Sequence, residues 1–282
     1  DLNATYDWDL MLPSYSGVTA TDEQKAEVAK LMYNIGAALQ SDYTPSGTGA
    51  TDVDVVPTLV RYFNYDPGAR YVQRDYTPVK LYEQGLVNEI EAGRPVPYGG
   101  VTKKNEGHFF VLDGINEDGY YHVNWGWGGL SNGYFLISSL DPDAQGVGGA
   151  TSTYTAFKYH QLYISGIQKP QDGSQTGWNI MVDNISTLDD FYAKGDEIKA
   201  TIYDAYNNSS TYDTLKCKLY WDLYDAEGKI IGQNFIKNDT LPLNYGFDKL
   251  TTTFKIPTDI ADGDFTMRLD FTEAGDDYTT VH

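Results

Sequence analysis

The feature that most constrains this chain is a change of period. Up to Gly93 its apolar residues recur at helical spacing, and beyond that point they alternate with period two. The first part therefore builds helices and then antiparallel strands, an α+β order. Thr21-Asp-Glu-Gln24 is a capping-box pattern, and it opens a helix expected over residues 21–39 with Ala26, Ala29, Leu31, Met32 and Ile35 on one face. A second helix is expected over Thr51–Phe63, with Pro57 in its first turn, and a third from Pro78 to Gly93. Strands are expected at Val96–Val101, His108–Asp113, Tyr120–Trp125, Gly133–Ser138 and Ala156–Ile167, with Asn116–Gly119 as a hairpin loop.

Residues 170–177 are polar and turn-rich, which marks them as a linker. After them Ile198, Ala200 and Ile202 alternate, then Cys217, Leu219, Trp221 and Leu223, then Phe265, Met267, Leu269 and Phe271. This pattern predicts an all-β, immunoglobulin-like sandwich over residues 171–282, following an α+β domain over residues 1–170. The chain ends at Thr280-Val-His282, soon after a strongly alternating strand, so the sandwich is expected to lack its last strand. It begins at Asp1 without an initiator Met or an apolar leader, and a cut is expected there too.

At 282 residues the chain is long enough for two such domains. Its net charge of −20 repels phosphate backbones, which argues against nucleic acid as a partner, and it has no apolar run long enough to span a bilayer. A single cysteine excludes an internal disulfide framework and the four-ligand Cys/His zinc signatures; no metal or cofactor is expected. That cysteine, Cys217, is in phase with Leu219 and Trp221, so it belongs to a buried strand face rather than to an active site.

Of four histidines, His108 stands apart, in Gly107-His-Phe-Phe-Val-Leu-Asp-Gly114. The next strand runs into Tyr121-His-Val-Asn-Trp-Gly-Trp-Gly-Gly129. If the two form a hairpin, Asn124 and Trp125 return beside His108. An Asn side chain there is suited to accept the imidazole Nδ1 proton and fix the tautomer, and a Trp face to shield that bond from water. Either motif alone is weak, whereas the pair is specific.

Together these motifs resemble the histidine region of the streptopain family of bacterial papain-like cysteine proteases. Tyr6-Asp-Trp-Asp with Leu12-Pro-Ser-Tyr-Ser-Gly17, the loop Asp42-Tyr-Thr-Pro-Ser-Gly-Thr-Gly49 and the segment Asp141–Gly149 are similar to segments that occur there in the same order. The resemblance covers about residues 6–170. It implies a thiol protease in which a Cys thiolate attacks the peptide carbonyl and an imidazole relays the proton. His108 would take the imidazole role, Asn124 would orient it and Trp125 would lie over it. Gly107 and the loop Ser46, Gly47, Thr48 and Gly49 would line the substrate cleft, with the Gly-rich segment 141–149 as a mobile border.

The sequence departs from the family in two places. The family's catalytic Cys lies upstream of the Tyr-x-Trp motif, where this chain has only its first few residues. Pro95-Val-Pro-Tyr98 is followed by Gly99 where the family has a Gln that can serve an oxyanion. The expected function is thus the histidine-bearing part of a secreted or cell-surface bacterial endopeptidase. Its substrates would be proteins or peptides, its Cys would lie upstream of this chain, and a Cys-bearing N-terminal chain or a pro-segment would be a partner. Alone, the chain is expected to be inactive and to expose apolar surface on its helical side. The alternatives are a catalytically inactive module that binds protein or glycan, and an adhesive surface protein in which the sandwich is the working part.

Overall fold

The computed structural model describes residues 4–45, 47–150, 153–187, 189, 191–211 and 213–275. Helix α1, Asp22–Ala38, starts where its capping box requires. Gln24 N–H donates to Thr21 Oγ1 and Thr21 N–H donates to Gln24 Oε1, so two end donors are satisfied reciprocally. The apolar face expected on this helix is not packed. Only Asn34 and Gly36 are buried, and Met32 and Tyr33 are each about two-thirds exposed. Trp8 and Val18, from the segment before the helix, are exposed as well. Apolar surface is therefore exposed on the helical side, with Met32, Tyr33 and Ile35 of this helix contributing to it.

A short hairpin follows, β1 Asp42–Thr44 against β2 Gly47–Gly49, in a stretch whose Gly and Thr content reads as loop. Helix α2, Val55–Phe63, places Pro57 in its first turn, where a missing N–H costs nothing, and ends on Asn64 in the left-handed region at φ 56°. Strand β3, Arg70–Gln73, was not expected: four residues without clear alternation carry no period-two signal. Helix α3, Val79–Glu91, is followed by β4 Val96–Val101, β5 Gly107–Ile115, β6 Tyr121–Asn124, β7 Gly133–Phe135 and β8 Tyr159–Ser165. Strands β7 and β8 are shorter than expected, since the chain turns at Leu136–Ser139 and residues 153–158 are outside any strand.

These strands form one antiparallel sheet in the order β3-β8-β4-β5-β6-β7. Helix α3 packs Tyr82 and Leu86 against Tyr98, Phe110, Leu112 and Val123 from the sheet, all nearly or fully buried. Each such side chain contributes about 1.5–3 kcal/mol through the apolar surface it removes from water. The sheet is thus a packed floor, and its strand ends and loops carry the site.

Residues 170–177 are turn-rich, and they are held to the first part of the chain through Asp66. Its carboxylate accepts from Gln171 N–H at 2.8 Å, Ser174 Oγ at 2.6 Å and Gly68 N–H at 2.7 Å. Beyond them lie β9 Ile180–Ser186, β10 Glu197–Asn207, β11 Leu215–Tyr224, β12 Ile230–Leu241, β13 Gly246–Lys255 and β14 Thr266–Glu273. They form two antiparallel three-stranded sheets, β13-β10-β9 and β12-β11-β14. One apolar core holds Ile198, Ala200 and Ile202 from the first sheet and Trp221 and Leu223 from the second. The alternating residues predicted to face inward on β10 and β11 do so. Arg61 of α2 joins the two parts by donating to the carbonyls of Ser209, Ser210 and Thr211 at 2.8–3.4 Å.

Candidate active site

His108 is the second residue of β5, half-buried at the mouth of the strand. Its Nε2–H donates to the backbone carbonyl of Trp125 at 2.8 Å. In a neutral imidazole this bond places the proton on Nε2 and leaves the lone pair on Nδ1. Burial pushes the imidazole below its ordinary pKa, and the Trp125 carbonyl opposes that only in part. At neutral pH the ring is therefore an uncharged base with a fixed tautomer.

This geometry differs from the expected one. Asn124 does not hold the imidazole: it is exposed, and its Oδ1 accepts from Gly126 N–H at 3.0 Å. The orienting acceptor is the main-chain carbonyl one residue later. The turn that delivers it needs Gly126, which sits at φ 78° where an L side chain is strained. Asn132 Oδ1 accepts from Trp125 N–H at 3.1 Å and so pins the preceding peptide, on the other side of the Trp125 Cα.

Trp125 is fully buried, but its ring is the farther of the two indoles, 6.3 Å from the imidazole centroid. The ring lying on His108 is Trp127, at 4.6 Å with 16° between planes, and the two indoles stack on each other at 5.6 Å. Trp127 was missed as a site residue although it belongs to the same Trp-Gly-Trp motif. The signal was the repeated indole across a single glycine, which turns both rings to one side. The Gly-rich segment closes on Trp127 from outside, and a Cβ on Gly146 would lie 2.7 Å from the indole.

His108 opens on a cleft of about 550 Å³. Gly47, Thr48, Gly49 and Gly107 line it, as do Val147 and Gly148 of the Gly-rich segment; Ser46 lies outside the described residues. Cavities of about 530 and 600 Å³ occur elsewhere, so size does not single this one out; the oriented imidazole does. Gly99 also lines the cleft, paired with Phe109 across β4 and β5, so no side-chain amide projects from that position.

Cys217 is fully buried in β11, among Leu215, Leu219 and Leu241, and burial pushes its thiol up to about 12. It does not line the cleft and is not a thiolate at physiological pH. Among the described residues no group of three or more His, Cys, Asp or Glu is placed to hold a metal ion, and no helix is long and apolar enough to cross a membrane.

Residues 1–135 match the peptidase C10 family. The chain is 35% identical over 153 residues to streptopain of Streptococcus pyogenes, an alignment covering 54% of this chain and 38% of that protein. It is 32% identical over 151 residues to the thiol protease/hemagglutinin PrtT of Porphyromonas gingivalis, covering 54% of this chain and 17% of that one. The solved structure of active wild-type interpain A cysteine protease from Prevotella intermedia superposes with a TM-score of 0.51 at 33% identity, over 58% of this chain and 65% of that one. The chain thus spans about two-fifths of the length of streptopain. On its motifs, its sheet and these relatives, the first part of this chain belongs to the streptopain family of papain-like cysteine peptidases.

Proposed function

We propose that this chain supplies the histidine half of a secreted bacterial cysteine endopeptidase, with the nucleophilic Cys coming from residues outside it. His108 Nδ1 takes the thiol proton, the thiolate attacks the scissile carbonyl, and the imidazolium returns the proton to the leaving amine; water then cleaves the thioester. The Trp125 carbonyl holds the tautomer, Trp127 shields that bond, and Gly47, Thr48, Gly49 and Gly107 border the bound peptide. With Gly99 in place of the family's Gln, an oxyanion donor would come from a backbone N–H. The observation that carries this reading is the Nε2–H to Trp125 carbonyl bond at 2.8 Å, which leaves Nδ1 as the base beneath a stacked indole. The uncovered apolar face of α1 supports a further segment packing there. The two facing three-stranded sheets support an immunoglobulin-like sandwich that positions the protease domain.

The test is peptide hydrolysis and labelling by a thiol-directed epoxide, on this chain alone and with a Cys-bearing segment joined ahead of it. Activity confined to the longer form and lost on His108→Ala is expected. Absence of activity in both forms overturns the enzyme reading in favour of a binding module.

A further inference from the structure

A second imidazole lines the same cleft. His160, on β8, has no part in any motif of the sequence, yet three features of the fold converge on it. Strand β8 carries one extra residue against β4: Gly99 pairs with Leu162 and Val101 with Tyr159, so two steps on one strand face three on the other. A bulge of this kind turns a side chain out of the regular pleat. The residue in the bulge is His160, held in the left-handed region at φ 46°, a conformation that costs a non-glycine residue free energy. The ring is exposed and is oriented by one bond, Nδ1–H donating to Asp75 Oδ2 at 2.6 Å from the short 3-10 turn Arg74–Tyr76. In a neutral imidazole that bond leaves Nε2 as an acceptor.

The surroundings define what such an acceptor would meet. A transverse row runs Gln73, Leu162, Gly99, Phe109 across four strands, and all four residues line the cleft beside His160. The cleft contains Asp52, whose carboxylate accepts from Tyr71 Oη at 2.8 Å and from Val53 N–H at 2.9 Å. Among the described residues that line it, none is Lys or Arg. The field there is negative, and the chain as a whole carries a net charge of −20.

We infer that His160, oriented by Asp75, determines specificity in this cleft by accepting a hydrogen bond from a cationic side chain, Lys or Arg, of the bound peptide. This rests on the proposal that the cleft takes peptide substrates, and it adds the class of side chain selected.

The test uses the full chain and fluorescence anisotropy of short labelled peptides in which one Lys, or one norleucine of similar length, is moved position by position. In one register the Lys peptide should bind about tenfold tighter than its norleucine twin, as expected for a hydrogen bond to a charged donor. His160→Phe should bring that ratio to about one. Should His160→Phe not fold, Asp75→Asn keeps the ring and removes the charge behind it, and it should lower the ratio several-fold. A Lys preference that survives these substitutions, or no preference in any register, overturns the inference and leaves the peptide cleft standing. If no peptide of either kind binds, both the cleft's role and the inference fall.

Discussion

Each part of this molecule takes out of water a side chain suited to thiol-protease chemistry, Cys217 in one and His108 in the other, and the two are treated in opposite ways. In the sandwich, Cys217 is sealed among aliphatic side chains with its thiol pushed up to about 12, so burial silences it. In the first part, His108 is only half-buried, its proton is fixed by a carbonyl, and its lowered pKa keeps it a neutral base. Desolvation acts on both. The difference lies in geometry: a regular strand face hides the thiol, while a strand mouth beside a glycine turn presents the imidazole to a cleft.

The sharpest way to break this comparison is to cut each core at its largest ring. Trp125 and Trp221 are both fully buried, and replacing either with Ala should cost about 3–5 kcal/mol in urea unfolding. The consequences should separate. Trp221→Ala should expose Cys217 to maleimide at urea concentrations where the wild type is unreactive, and Trp125→Ala should instead displace His108 with little gain in labelling. Equal labelling in the two variants would show that the parts open as one unit.

The joint between the parts gives the next effect. Asp66 is almost fully buried, and burial alone would raise its pKa; the hydrogen bonds from Ser174, Gly68 and Gln171 outweigh burial and hold it below the ordinary carboxylate value. A carboxyl lowered in the folded state contributes stability above its unfolded pKa of about 3.9 and loses it as pH falls through the folded value. Asp66→Asn should therefore destabilise by about 1–3 kcal/mol at pH 7, with the gap to wild type closing below about pH 4. A gap that stays constant down to pH 3 would remove Asp66 as the charged clamp on residues 170–177.

The same contrast explains what was legible beforehand. Strands β10 and β11 could be read residue by residue, because a face that must be buried repeats every second position. The capping box at Thr21 and Gln24 was legible because two side chains write it. Strand β3 was not, since four half-buried residues at a sheet edge carry no alternation. At the site, His108 and its glycines were legible as a motif, but the group that orients the imidazole is a backbone carbonyl, which no residue letter encodes. The assignment to the Asn124 side chain followed from looking for a polar side chain where the main chain does the work. His160 was hidden for a related reason: a one-residue bulge, not a sequence pattern, turns it out of the regular pleat.

That substitution of main chain for side chain sets the smallest and most specific prediction. If the carbonyl orients the ring, Asn124→Ala should cost no more than about 1 kcal/mol, the worth of one exposed hydrogen bond to Gly126 N–H, and should leave the His108 pKa where it is. Trp127→Leu should instead admit water to the imidazole face and raise that pKa toward its ordinary value of about 6.5, because burial is the main cause that lowers it. Both are read by titrating the His108 ring protons by NMR. In the wild type, a lowered histidine pKa means stability is complete above about pH 6.5 and falls as pH drops toward the folded value, where the unfolded state binds the extra proton. Trp127→Leu should flatten that limb and Asn124→Ala should not. If Asn124→Ala moves the imidazole pKa as much as Trp127→Leu does, the side chain, and not the carbonyl, sets the base.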